Sequence, residues 1–421
     1  MNGLLLDAVY DGSVERTLAV ISSGANIEER TSKGLTPLVV AAGLGNSRLV
    51  RTLLNKGADA SLVVDSGVTA LHFSAEKGYL TVTKLLVKAG ADLEAKSPLT
   101  GFTPLHNAAE LGHSEVMGVL IEEGANPNSR ALYGTTPLYM TAQNGHVAAT
   151  KVLLRAKANP LLAYSARSGD KHFPLDVAAR NGHLKVADEL IQDYGIDGCG
   201  GPSSGGDALK WAAEQQHVEV LGMLTNHGVV DTGSVLIAAT AGGRESSVKF
   251  LLQQQEKWKA SGQRAGYLGA VTELGETPLI CSIHACVSPR ITRLLVDAGA
   301  DTTTAVRVEQ EGRVSFNGTP LALTNWLLSE EIVGDKNATE SQLHTLQATR
   351  RLLLRVEAVH AVSWTWARGA PSTTNAAAEG LDGATLTTPT PLISMLPVLR
   401  RRTGRPRVLL AALFRHAGKP Y

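Results

Sequence analysis

A Thr-Pro-Leu tripeptide stands at Thr36–Leu38, Thr103–Leu105, Thr136–Leu138, Thr277–Leu279 and Thr319–Leu321, with variants at Thr69-Ala70-Leu71 and Phe173-Pro174-Leu175. The first four copies begin at 36, 69, 103 and 136, steps of 33, 34 and 33 residues. A fixed period this short constrains the fold more than any other feature of the chain. Each unit can hold one small supersecondary motif, and its apolar side can be buried only against the next unit. The 421 residues therefore need no single growing core, and length stops being a guide to domain number.

Residues 103–135 show what one unit contains. Thr103 suits a helix N-cap, and Pro104 suits the first turn, where a missing N–H costs nothing. A short helix through Ala108 and Ala109 follows, its small residues permitting close neighbours. Gly112-His113 breaks it. A second helix begins near Ser114, with Val116, Val119, Leu120 and Ile121 as its apolar stripe. Gly124 stands where a left-handed C-terminal cap is wanted, and Ala125-Asn126-Pro127 leads out to a turn ending at Gly134.

With these elements in register, the chain resembles the ankyrin repeat. Thr103-Pro104-Leu105-His106 and Gly112-His113 match two of its motifs. The third, a Leu-Leu pair followed by Gly-Ala-Asp, is matched by Leu53-Leu54 with Gly57–Asp59, Leu85-Leu86 with Gly90–Asp92, and Leu294-Leu295 with Gly299–Asp301. The resemblance implies an all-α solenoid of helix-turn-helix units joined by hairpin loops. It covers residues 3–360: a capping half-match at 3–35, close copies at 36–172, a fair one at 173–206, divergent ones at 207–276, and copies at 277–318 and 319–360 that carry long insertions. The expected organisation is N-terminal repeats over 1–195, a Gly-rich hinge at 196–206, divergent repeats over 207–360, and a tail at 361–421. Lys157 replaces the capping glycine after Leu153-Leu154, so that helix is expected to end differently or to extend.

Beyond residue 367 the composition turns to Ala, Gly, Ser, Thr and Pro, the chemistry of a disordered linker. From Gly383 on there are six Arg, one Lys and no acid, +7 in a chain of net +1, so residues 1–382 carry −6. The Arg400–Arg407 run is basic enough for nuclear import, but nucleic acid is not the expected partner. No stretch approaches the roughly 20 apolar residues of a membrane span, the N-terminus carries no basic leader region, and three cysteines make no disulfide framework. The chain reads as a cytoplasmic monomer.

No catalytic constellation stands out. His72, His106, His113, His146, His183 and His217 all fall at the fixed histidines of the two motifs, where the resemblance implies hydrogen bonds to neighbouring backbone. Cys281, His284 and Cys286 lack a fourth ligand for zinc and read as packing residues, so no cofactor is expected. Gly198–Gly206 lacks the Lys-Ser/Thr of a phosphate loop.

The resemblance also implies where partners bind: a concave groove lined by the hairpin tips and by the two residues before each Gly-His element. At the tips stand Lys33 and Leu35, Asp65 and Val68, Leu99 and Phe102, then Leu132 and Tyr133. At the helix ends stand Leu44, Glu76 with Lys77, Glu110 with Leu111, Gln143 with Asn144, and Arg180. Leu44, Phe102, Leu111 and Tyr133 form an apolar stripe bordered by charge, as interfaces do. Phe102→Ala with Tyr133→Ala is expected to weaken partner binding by about 2 kcal/mol or more with folding intact. The expected function is non-catalytic recognition of a partner protein. The alternative is an adaptor whose tail recruits ubiquitin-ligase or trafficking machinery to bound cargo.

Overall fold

The computed structural model describes residues 3–165, 169–199, 206–229, 233–260, 267–310, 313–328 and 340–368. It is mostly helical. Thr36, Thr136, Thr277 and Thr319 cap their helices by accepting the N–H three residues on, at 3.2–3.4 Å, each with proline in the first turn. The sequence therefore starts these helices locally, before any packing.

Two compact units account for the described residues. The first runs to Tyr267 apart from Thr240–Gly243; the second comprises those four residues and the chain from Leu268 on. Residues 200–205 of the run read as a hinge lie outside the described ones.

The first unit pairs α1 (Leu4–Tyr10) with α2 (Val14–Ser22), α3 (Pro37–Gly43) with α4 (Ser47–Asn55), α5 (Ala70–Glu76) with α6 (Leu80–Lys88), and α7 (Pro104–Glu110) with α8 (Ser114–Glu122). It continues with α9 (Pro137–Asn144) and α10 (Val147–Arg155), a hairpin of β1 (Tyr164–Ser165) and β2 (Lys171–His172), α11 (Pro174–Arg180) and α12 (Leu184–Cys199), then α13 (Gly206–Glu214), α14 (Val218–Asn226), α15 (Ser234–Ala241) and α16 (Glu245–Ala260). The odd-numbered helices up to α13 lie side by side in one layer and the even-numbered ones up to α16 in another. The motif leucines Leu38, Leu71, Leu105, Leu138 and Leu175 of the first helices are buried, as are Leu49, Leu53, Leu86, Leu120 and Leu153 of the second. Paired alanines of α3, α7 and α11 are buried too, at Ala41-Ala42, Ala108-Ala109 and Ala178-Ala179. A larger side chain there would push the layers apart, which is why this core is rich in alanine and poor in rings.

The second unit contains α17 (Pro278–His284), α18 (Pro289–Asp297), an antiparallel ladder of β3 (Val306–Gln310) and β4 (Arg313–Gly318), α19 (Pro320–Leu327) and α20 (Glu340–Arg368). The long exit hairpin expected after 277 is this ladder, and the apolar run at Leu346–Leu354 lies on α20, with Leu346 and Leu353 buried. The loop read at 333–341 lies almost wholly outside the described residues, as does the tail from 369, including Arg400–Arg407. Among the described residues no helix is long and apolar enough to cross a membrane.

Lys157 corrects one expectation. Helix α10 ends at Arg155 without extending, and Lys157 itself takes φ +59 to do so. The Ala158 N–H still reaches the Leu153 carbonyl at 3.0 Å, as Ala125 reaches Leu120 at 2.9 Å after a glycine. The repeat imposes its cap geometry, and lysine bears the strain that glycine avoids.

Candidate functional site: the groove face of the first unit

The turns that line the groove are held by a ladder of rings. Gly78, Gly112, Gly145 and Gly182 each sit at φ +71 to +75. A Cβ on any of them would lie 2.6 Å from a ring atom of His113, His146, His183 or His217 in the following repeat. Each of those histidines uses Nε2 to bond a carbonyl beside the same glycine. His113 meets Glu76 O at 2.9 Å, His146 Glu110 O at 2.9 Å, His183 Gln143 O at 3.0 Å and His217 Arg180 O at 3.1 Å. Asn144 and Asn181 add amide bonds of 2.8 Å to Glu110 O and Gln143 O. The backbone is thereby fixed while the side chains of Glu110 and Gln143 stay exposed.

A second set of histidines fastens the hairpins. His72 Nδ1 accepts the Thr69 N–H at 3.1 Å, and its Nε2 donates to Phe102 O at 3.1 Å; His106 does the same between Thr103 and Thr135 O. Burial lowers both imidazole pKa values, to about 4 for His106, so the neutral tautomer with the proton on Nε2 is the stable one. All six motif histidines are thus structural joints.

Asp176 occupies the equivalent position on α11. Its Oδ2 accepts the Phe173 N–H at 2.9 Å, while Oδ1 is buried with no partner. Burial pushes this carboxyl up to about 7. In the second unit, Cys281 and His284 both turn to the buried Glu276, the thiol donating to Oε2 at 3.8 Å and His284 Nδ1 bonding Oε1. Burial raises both thiols, Cys286 to about 11, so neither is an activated nucleophile. Among the described residues no group of three His, Cys, Asp or Glu side chains is placed to hold a metal ion.

The sequence-predicted groove residues divide into three kinds. Leu44, Leu99, Leu111, Leu132 and Tyr133 are exposed, Leu99 by 81% and the others by 45–51%. Lys33, Glu110, Gln143 and Asn144 are exposed as well, with Leu35 and Val68 half-buried. Asp65 and Glu76 are engaged within the protein: Asp65 pairs with Arg30 at 2.9 Å across neighbouring repeats, and Glu76 pairs with Lys77 at 2.9 Å. Phe102 is half-buried, its ring stacked 5.5 Å from His106 at an interplanar angle of 10°. That contact ties Phe102 to the hairpin joint as well as to the predicted groove.

Sequence reading passed over the aromatic cluster farther along the same face. Tyr133 meets Tyr164 edge-on at 6.3 Å, and Tyr139 stacks on Tyr164 at 5.1 Å. Tyr164 stacks on His172 across the β1–β2 ladder at 6.3 Å, and His172 meets Trp211 edge-on at 5.6 Å. The guanidinium carbon of Arg180 lies over Trp211, 4.6 Å from its ring centre. His172 holds the register of Leu35, Val68 and Phe102, and Arg180 that of Glu76, Glu110 and Gln143, so the cluster continues the predicted lining. The available signal was the step from Thr136 to Phe173, 37 residues against 33 or 34 earlier. The extra residues make the β-ladder that carries Tyr164 over His172.

The family model for ankyrin repeats matches residues 5–97 and 94–164. Human ankyrin repeat and KH domain-containing protein 1 is 37% identical over 98 residues, 23% of this chain and 4% of that protein. Mouse ankyrin repeat domain-containing protein 63 is 38% identical over 96 residues, 21% of this chain and 25% of the relative. The mouse B-cell lymphoma 3 protein homolog is 34% identical over 91 residues, 21% of this chain and 20% of that protein. The chain thus spans a quarter or less of these relatives' own length. Together with the stacked two-layer fold, these matches show ankyrin repeats over residues 5–164. Ankyrin repeats are in general protein–protein interaction modules.

Proposed function

We propose that this chain is a non-catalytic module that recognises a partner protein through the groove face of its first unit. The observation that carries the reading is the contrast along that face. The backbone of each turn is pinned to the next repeat by a histidine, while Leu111, Leu132 and Tyr133 stand about half exposed beside it. Such preorganisation lowers the ordering cost of association, and apolar anchors within a polar border are what interfaces use. Lys33, Lys77, Glu110, Gln143 and Asn144 supply that border. The reading places the chain in the cytoplasm, as a monomer.

The test is affinity capture with the full chain and with a full-length Leu111→Asp/Tyr133→Asp variant, quantified by mass spectrometry. Both positions are about half exposed, and circular dichroism checks that the variant keeps its fold. The proposal expects a protein retained by the parent and lost from the variant. Identical retention by the two baits would refute it.

A further inference from the structure

We propose that the ring cluster ending at Arg180 and Trp211 is a subsite for an acidic side chain on an extended segment of the partner protein; this rests on the groove reading above. Several other cations of the first unit are paired within it, among them Arg30 with Asp65 at 2.9 Å, Lys77 with Glu76 at 2.9 Å and Lys151 with Glu189 at 2.8 Å. The half-buried guanidinium of Arg180 makes no hydrogen bond or ion pair among the described residues. Its guanidinium carbon lies 4.6 Å from the ring centre of Trp211, a contact that uses none of its N–H donors in a hydrogen bond. A carboxylate takes two parallel N–H···O bonds from a guanidinium fork, a geometry that lysine cannot offer.

The neighbouring rings set the rest of the ligand. Centroids from Trp211 through His172 to Tyr164 are 5.6 and 6.3 Å apart. In an extended peptide, side chains on one face recur every two residues, about 7 Å. An acid on Arg180 therefore places the residue two positions away over His172 and Tyr164, where an aromatic or large apolar side chain stacks. In the other equivalent positions Glu76, Glu110 and Glu214 repel a carboxylate and Gln143 is neutral, so the acid is confined to Arg180. Charge also excludes this chain's own C-terminal run, Arg400–Arg407, which has the sign of Arg180.

The experiment selects random twelve-residue peptides displayed on phage against the full-length chain. Enriched peptides are then measured by fluorescence polarisation on the parent, Arg180→Gln, Arg180→Lys and Trp211→Ala, each checked by circular dichroism. The expected consensus is Asp or Glu two residues from an aromatic or large apolar residue. Affinity should fall ten-fold or more in Arg180→Gln and Trp211→Ala, with Arg180→Lys recovering only part. A consensus without an acid, or equal binding by Arg180→Gln, overturns the subsite; if those peptides are still lost on Leu111→Asp, the groove reading stands without it. Failure to enrich any peptide also overturns the subsite, leaving the groove to the capture experiment. Sedimentation showing a dimer that Arg180→Gln dissociates would make the occupant a second copy and overturn a separate partner.

Discussion

Gly145→Ala isolates the contact on which the repeat stack depends. Gly145 caps α9 at φ +75, a region where an L-residue loses roughly 1–2 kcal/mol. The added methyl would also lie 2.6–2.9 Å from three atoms of the His183 ring. That ring cannot slide away without weakening its 3.0 Å bond to Gln143 O, worth about 1 kcal/mol. The expected loss is about 2–3 kcal/mol, read from the urea midpoint of the full chain. Gly124→Ala is the matched control: φ is +105, yet nothing lies within 4 Å of its added Cβ. Strain alone then operates, costing about 1–2 kcal/mol. Combining Gly145→Ala with His183→Ala should be markedly less than additive, since the second change removes the clash created by the first. Equal costs at Gly145 and Gly124, with an additive double variant, would refute the ring-on-glycine reasoning.

Four further outcomes are expected. Lys157→Gly should stabilise the protein by about 1 kcal/mol in chemical denaturation, because lysine there is held at φ +59. Leu120→Ala, at a fully buried position between the layers, should cost about 2–5 kcal/mol in the same assay. Asp176 is protonated in the folded state up to about pH 7 but ionises near 3.8 when unfolded, so it lowers stability as pH rises through that window. Asp176→Asn should therefore raise the urea midpoint more at pH 8 than at pH 4. His106 acts in the opposite sense: held down to about 4, it costs stability as pH falls from 6.5 towards 4, a slope that His106→Gln should flatten in midpoints measured across that range.

The fold was legible because each unit announces its own boundaries. Thr36 and Thr136 cap, Pro37 and Pro137 start a helix, and Gly112 ends one, all through local chemistry that precedes packing. The motif histidines were legible for the same reason. Lys157 was misjudged because residue type was weighed above context: the stacked neighbours fix the turn whatever occupies it. The stack of Phe102 on His106 was not legible, since His106 was read only as a joint to the backbone. The Tyr164–His172–Trp211 row escaped notice because its members come from a β-ladder and from the next repeat, separated by up to 47 residues. Only the lengthened step before Phe173 hinted at it.

The groove itself is tested most directly by hydrogen exchange on the full chain with and without a captured partner. Protection should concentrate at the amides of the Leu132–Gly134 tip and of the turns at Leu111–His113 and Asn144–His146. Protection confined to the second helices, such as α8 and α10, with those turns unchanged, would contradict recognition through this face.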